Sequence, residues 1–150
     1  MIKILIIIAT LGIFHTPSYE YMVEHITDSA SLEYYFSYFD YRRDKTWRDE
    51  WKTPMEFYNN GGGDCEDFAV FGYEMLTGLG YECTIYSIDN EEEEYSHAIL
   101  VYYGGDDCGY FSNYRREEGY YSIGEILKKE GYESWDICDW RQRRKNRVRH

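Results

Sequence analysis

Nowhere in the chain do two cysteines form a C-x-x-C pair; Cys65, Cys83, Cys108 and Cys138 each stand alone. That spacing argues against a zinc site and against a thioredoxin-like dithiol. If the protein is exported, two of the last three can pair, with Cys108–Cys138 the pairing to test. In a reducing compartment all four are thiols. Basic charge is scarce as well. The last ten residues hold six of the 16 Arg and Lys, which leaves 10 bases against 28 acids in residues 1–140, a net of −18. So acidic a body argues against nucleic acid as the main ligand, and none is expected as a partner. Internal repeats and long linkers are lacking. After the first 14 residues there is no apolar run long enough to cross a membrane.

What is present is enough for one domain with its own core: 150 residues, 43% of them apolar. The 18 tyrosines add apolar area with a polar tip, which suits half-exposed cores and grooves. Lys3 precedes an apolar stretch from Ile4 to Phe14, short for a membrane span and about right for a signal-peptide core. Residues 1–18 therefore read as a signal or membrane-anchor segment. The protein is expected to be exported or membrane-attached, otherwise cytoplasmic, with membrane contact only through this segment if it stays uncleaved. Residues 19–140 form the domain and 141–150 a basic tail. Two readings of the tail stand: a solubilising extension, or a contact with RNA, anionic lipid or the acidic body of another copy.

Helix signals come first along the domain. Asp28 and Ser29 can cap a helix whose apolar residues Leu32, Tyr35, Phe36 and Phe39 recur at helical spacing. A short helix is expected to begin at Thr46. A stronger start follows, with Thr53 as cap, Pro54 in the first turn and Glu56 closing a capping box. That helix must stop at the three glycines 61–63, read as a helix stop and a hinge. Asp64 can cap the next helix, which places Cys65 at its first position on an apolar stripe with Phe68, Ala69, Gly72, Met75, Leu76 and Leu79. Strands are expected over 81–88, 96–103 and 108–114, with a hairpin turn at Gly104–Asp107 and a solvated acidic loop at 89–94. Ser122, Glu125 and Gly131 bound a last helix. Helices, then a cysteine-led helix, then an antiparallel meander make an α+β order.

Cysteine becomes a nucleophile when its thiolate is stabilised, and a helix N-terminus does so through its free N–H groups. A base is also needed, and there are only four histidines. His15 lies in the leader, His150 is the last residue and His25 is read as preceding the first helix. His97 alone starts a core strand, and an imidazole there, facing the helix tip, has the reach of a general base. A third group should hold the imidazole in the right tautomer. A two-residue turn would set Ser112 opposite His97, a three-residue loop Asn113, a four-residue loop Tyr114. Asn113 is preferred because an amide oxygen accepts from an imidazole N–H better than a hydroxyl does. The acids Glu66 and Asp67 complement the helix dipole but repel a thiolate.

The stretch WKTPMEFYNNGGGDCEDFAVFGYEML, followed by SHAILVYY and YFSNY, resembles the bacterial transglutaminase-like cysteine proteinases, within the transglutaminase and papain-like group, over roughly residues 30–127. The resemblance implies a papain/transglutaminase-like fold with N-terminal helices and a Cys-bearing helix packed on an antiparallel sheet. It implies Cys65 as nucleophile, His97 as base, and an amide or isopeptide bond in a protein or peptide substrate. The third member there is usually an aspartate, where this chain has Ser112–Asn113; papain-like enzymes use Asn. Some members bind calcium through acids beside the cysteine, which makes Asp64 and Glu66 candidate ligands, although no cofactor is expected. The leading expectation is a cysteine hydrolase acting through Cys65, His97 and Asn113 and a thioester. The Cys65 N–H is one oxyanion donor and Trp51 a candidate second. The alternatives are acyl transfer to an amine, and an inactive binding module of the same fold.

Overall fold

The computed structural model describes residues 15–43, 51–89, 96–104 and 108–141. Residues 1–14 of the leader, the helix expected at Thr46, most of the acidic loop, most of the Gly104–Asp107 turn and the basic tail beyond Arg141 lie outside the described residues.

Local capping fixes the helices. Ser18 caps α1 (Tyr19–His25), and Asp28 caps α2 (Ser29–Phe36) by accepting from the Ser31 N–H while the Ser31 hydroxyl answers the Asp28 N–H. α1 is an addition to the sequence reading, and His25 is its last residue, with Nδ1 2.8 Å from the Tyr21 carbonyl and its ring stacked on Tyr21. After the short strand β1 (Asp40–Tyr41) comes α3 (Pro54–Asn59), where Thr53 and Glu56 form the expected box. β2 (Gly62–Gly63) pairs in parallel with β1, so two of the three glycines are buried in a bridge rather than acting as a hinge. α4 (Cys65–Gly78) follows, capped by Asp64.

The remaining strands form one five-stranded antiparallel sheet in the order β6-β5-β4-β3-β7: β3 (Glu82–Asp89), β4 (His97–Tyr103), β5 (Cys108–Ser112), β6 (Arg115–Tyr120) and β7 (Ser134–Ile137). β6 and β7 have no counterpart in the sequence reading. β6 reads RREEGY, and charge conceals it from an apolar search; Arg116 is anchored to Glu33 of α2 and Glu118 instead. β7 is exposed along its whole length and so lacks the alternation that betrays a strand. α5 (Ile123–Glu130) is capped by Ser122 and stops at Gly131 as expected, although Glu125 accepts from the Tyr121 N–H rather than closing a box on Ser122.

Alternation along the strands divides the core in two. Ala98, Leu100, Tyr102 and Phe111 face α2, α3 and α4, where Phe68 packs edge to face on Phe36 and Phe57 and Phe71 lies tilted against Phe57. Ile88, Ile99, Val101 and Tyr110 face α5 through Ile126 and Leu127. The α4 helix sits so close to the sheet that a Cβ on Gly72 would lie 2.6 Å from Leu100 Cδ2. The two clusters also correct the disulfide expectation. Cys108 belongs to the α5 side and Cys138 to the α4 side, and none of the four cysteines is in a disulfide. None of the helices among the described residues is long and apolar enough to cross a membrane.

Candidate active site

Asp64 Oδ1 accepts from the N–H groups of Glu66 and Asp67, and Asp67 Oδ2 accepts in return from the Asp64 N–H. This reciprocal cap holds Cys65 at the first helical position. The Cys65 N–H is not taken by the cap. The thiol is half-buried against the α4-side core that includes Trp51, itself only 6% exposed. The Ala98 N–H donates toward the sulfur, so Cys65 meets the sheet at the first turn of β4, one residue from His97. Burial pushes the Cys65 thiol up to about 12; the Ala98 N–H opposes the rise, and Asp64 and Glu66 add to it.

One of the acids beside Cys65, Asp67, finds a counter-charge that the sequence reading missed. Asp67 is fully buried, and Lys52 reaches it twice, through its ammonium at 2.6 Å and its backbone N–H at 2.8 Å. Burial pushes the Asp67 carboxyl up, and the two Lys52 contacts and the Asp64 N–H work against that. A Lys fifteen residues upstream carries no local signal; only the fold brings it there. Gly63 belongs to the same assembly, since a Cβ on it would lie 2.1 Å from Asp67 Oδ2 and 2.7 Å from Asp67 Cβ. Gly63→Ala is expected to cost about 1–3 kcal/mol by forcing the carboxylate off Lys52. A urea midpoint unchanged from the native chain would contradict this contact.

His97 pairs with Ile88 across β3, and its ring takes the Ile88 and Ile99 side of the sheet. There Nε2 lies 2.9 Å from Ser112 Oγ, and the ring stacks over Tyr132 at 6.2 Å between centroids. Cys65 packs on the other side. The β4–β5 register pairs Tyr103 with Cys108 and Ile99 with Ser112. Four residues therefore separate the strands, and continuing the register sets Tyr114 opposite His97. Ser112 reaches the ring diagonally. Asn113 follows in a left-handed turn, φ 54°, with its Oδ1 buried and without a hydrogen-bond partner among the described residues. Tyr114 then lies edge-on to Phe68 of α4, which brings this turn back to the cysteine side.

No protein-family model matches the chain, and no curated protein matches it. Solved structures do. LapG of Legionella pneumophila in its calcium-bound form superposes with a TM-score of 0.50 at 24% identity, over 67% of this chain and 57% of that one. The EGTA-treated form gives 0.49 at 24%, over 67% and 56%. At that identity the likeness is one of fold, and the matched part of this chain spans little more than half of LapG.

Proposed function

We propose that the domain over residues 19–140 is a cysteine-dependent hydrolase of peptide or isopeptide amide bonds. The observation that carries it is the Cys65 thiol on the tip of α4 beside the Ala98 N–H, next to the histidine that starts β4. In this reading Cys65 Sγ attacks the amide carbonyl as its proton passes to His97, and the developing oxyanion takes the Cys65 N–H. His97 then protonates the leaving amine, and water releases the thioester by the same route in reverse. Because Nε2 serves the orienting partner, the base role falls to Nδ1. The resemblance in GGDCEDFA and the fold shared with LapG support the same reading.

A thiol near pKa 12 is ionised to about one part in 100,000 at neutral pH, so an unaided Cys65 is expected to react with iodoacetamide far more slowly than an exposed cysteine. With His97 as base, the rate at pH 7 exceeds that value, and His97→Ala removes the excess. Equal rates in the two chains would end the paired reading. Hydrolysis and transfer separate by product: mass spectrometry on an unfolded protein substrate, with and without an added primary amine, distinguishes new chain ends from amine-bearing glutamines. Absence of both products, with a cellular phenotype unaltered by Cys65→Ala, would favour a binding module.

LapG is described in a calcium-bound form, and calcium takes six to eight oxygens. In this chain Asp64 Oδ1 and both oxygens of Asp67 are engaged by N–H groups and the Lys52 ammonium, and among the described residues no three His, Cys, Asp or Glu gather as a metal site. Asp64 and Glu66 are the acids beside Cys65 that would hold a calcium ion. Calorimetric titration with calcium tests that role: no heat and no rise in Tm would remove it.

A further inference from the structure

The bond from the Ala98 N–H seats the Cys65 sulfur at the His97–Ala98 peptide, so the backbone already brings the thiol to the residue that carries the base. What remains to be set is the imidazole. His97 is the first residue of β4, and its ring turns about two side-chain torsions. Nε2 lies 2.9 Å from Ser112 Oγ, and that bond fixes one atom of the ring. A ring held at one atom can still tilt about it, and the tilt moves the opposite nitrogen most. A second contact removes that freedom. The Tyr132 ring lies over the imidazole, with 6.2 Å between centroids and 23° between planes. A face-on contact restrains a plane where a hydrogen bond restrains a point.

The end of α5 brings Tyr132 there. Gly131, at φ 80°, makes the left-handed cap, and the N–H groups of Gly131 and Tyr132 both donate to the Leu127 carbonyl, at 2.8 and 3.0 Å. Glu130, the last residue of the helix, accepts from the Tyr110 hydroxyl and the Arg115 guanidinium, each at 2.5 Å. Arg115 is in turn the β6 partner of Ser112. The two residues that hold His97 thus come from different elements, and Glu130 ties those elements together. Ser112, Arg115, Glu130 and Tyr132 close a circuit around the imidazole.

We propose that Tyr132 is a positioning residue for His97, and that Glu130 acts through Tyr132. The proposal rests on the Cys65–His97 reading above. Ser112 engages Nε2 and so leaves Nδ1 for the thiol; Tyr132 sets the tilt of the ring and so directs Nδ1 at the sulfur. Neither Tyr132 nor Glu130 touches the reacting atoms.

Iodoacetamide alkylation of Cys65 at pH 7, on the full chain, tests this without knowledge of the substrate. Tyr132→Phe keeps the ring and is expected to react at the native rate. Tyr132→Leu keeps apolar bulk without the flat face and is expected to react about tenfold more slowly, because a small misplacement of a catalytic group is costly. Glu130→Ala is expected to slow the reaction several-fold and to add nothing to Tyr132→Leu in the double variant. Ile126→Val trims the packing of α5 on the sheet and is expected to keep the native rate. Circular dichroism on each variant checks that it is folded. The ¹⁵N shifts of the neutral His97 imidazole give an independent readout: a single tautomer in the native chain and in Tyr132→Phe, and a shift toward the average of both tautomers in Tyr132→Leu. Native rate and native shifts in Tyr132→Leu overturn the positioning role. So does an Ile126→Val chain slowed as much as Tyr132→Leu, since loss of packing then accounts for the effect, and so does a Tyr132→Phe chain slowed equally, since the ring face is then not what matters. Multiplying losses in the double variant overturn the route from Glu130 through Tyr132. A His97→Ala rate equal to the native one instead removes the Cys–His pair beneath the proposal, so the two failures are told apart.

Discussion

Lys52→Met is expected to lower the folding free energy by about 3 kcal/mol, the low end for breaking a buried ion pair because the lysine keeps some contact with solvent. The loss comes less from the attraction removed than from the carboxylate left behind. Asp67 has no exposure of its own, and without the ammonium its remaining partners are the N–H groups of Lys52 and Asp64. Burial already pushes this carboxyl upward. In Lys52→Met it is expected to take up a proton at a higher pH than in the native chain, which loosens the cap on α4. Urea denaturation of Lys52→Met, of Asp67→Asn and of the double variant measures the coupling. The double variant is expected to recover at least half of the Lys52→Met loss, since an amide needs no counter-charge. Equal losses in the single and double variants would show that Lys52 acts through packing alone. Activity should fall with the single change as well, because Cys65 stands two residues from Asp67 on the same cap.

Cys65→Ala is expected to abolish turnover, by a factor on the order of 10⁴ to 10⁶, with little change in fold. The thiol is half-buried and borders the core rather than filling it, so the stability loss should stay near 1 kcal/mol. His97→Ala is expected to lose about 10² to 10⁴, the range of a general base. Their combination should be no worse than Cys65→Ala alone, since a base without its nucleophile has nothing to serve. Rates measured on a protein substrate found by the mass-spectrometric assay decide this. Two independent, multiplying losses would mean that His97 acts elsewhere than on the Cys65 thiol.

Much of this fold is legible in the sequence. Capping residues are a local signal, and Asp28, Thr53, Asp64 and Ser122 each open the helix expected of them. The three apolar strands announced themselves through their composition. Where legibility failed, the cause was distance along the chain or polarity on the surface. Arg115–Tyr120 becomes a strand because it extends a hairpin and because Arg116 meets Glu33 more than eighty residues away, and nothing inside the segment says so. Lys52 reads as one more surface lysine until the fold delivers it to Asp67. The partner of His97 turned on the length of one loop, and the four-residue spacing put Ser112 within reach by a diagonal that opposing-residue counting does not consider. Which side of a sheet a strand's first residue takes follows from register, which the sequence of a single strand does not contain.

The contact between Gly63 and Asp67 also sets an order on the changes this chain can accumulate. A lineage that first replaces Gly63 must displace the carboxylate, and one that first replaces Lys52 must keep that carboxylate with its ammonium gone. The passable route begins at Asp67: once that side chain is neutral or shorter, Lys52 is released from its duty and Gly63 from its restraint. Three positions scattered over sixteen residues should thus be inherited together or lost in one sequence of steps. Homologues carrying a bulkier residue at 63 are then expected to have changed at 67 as well.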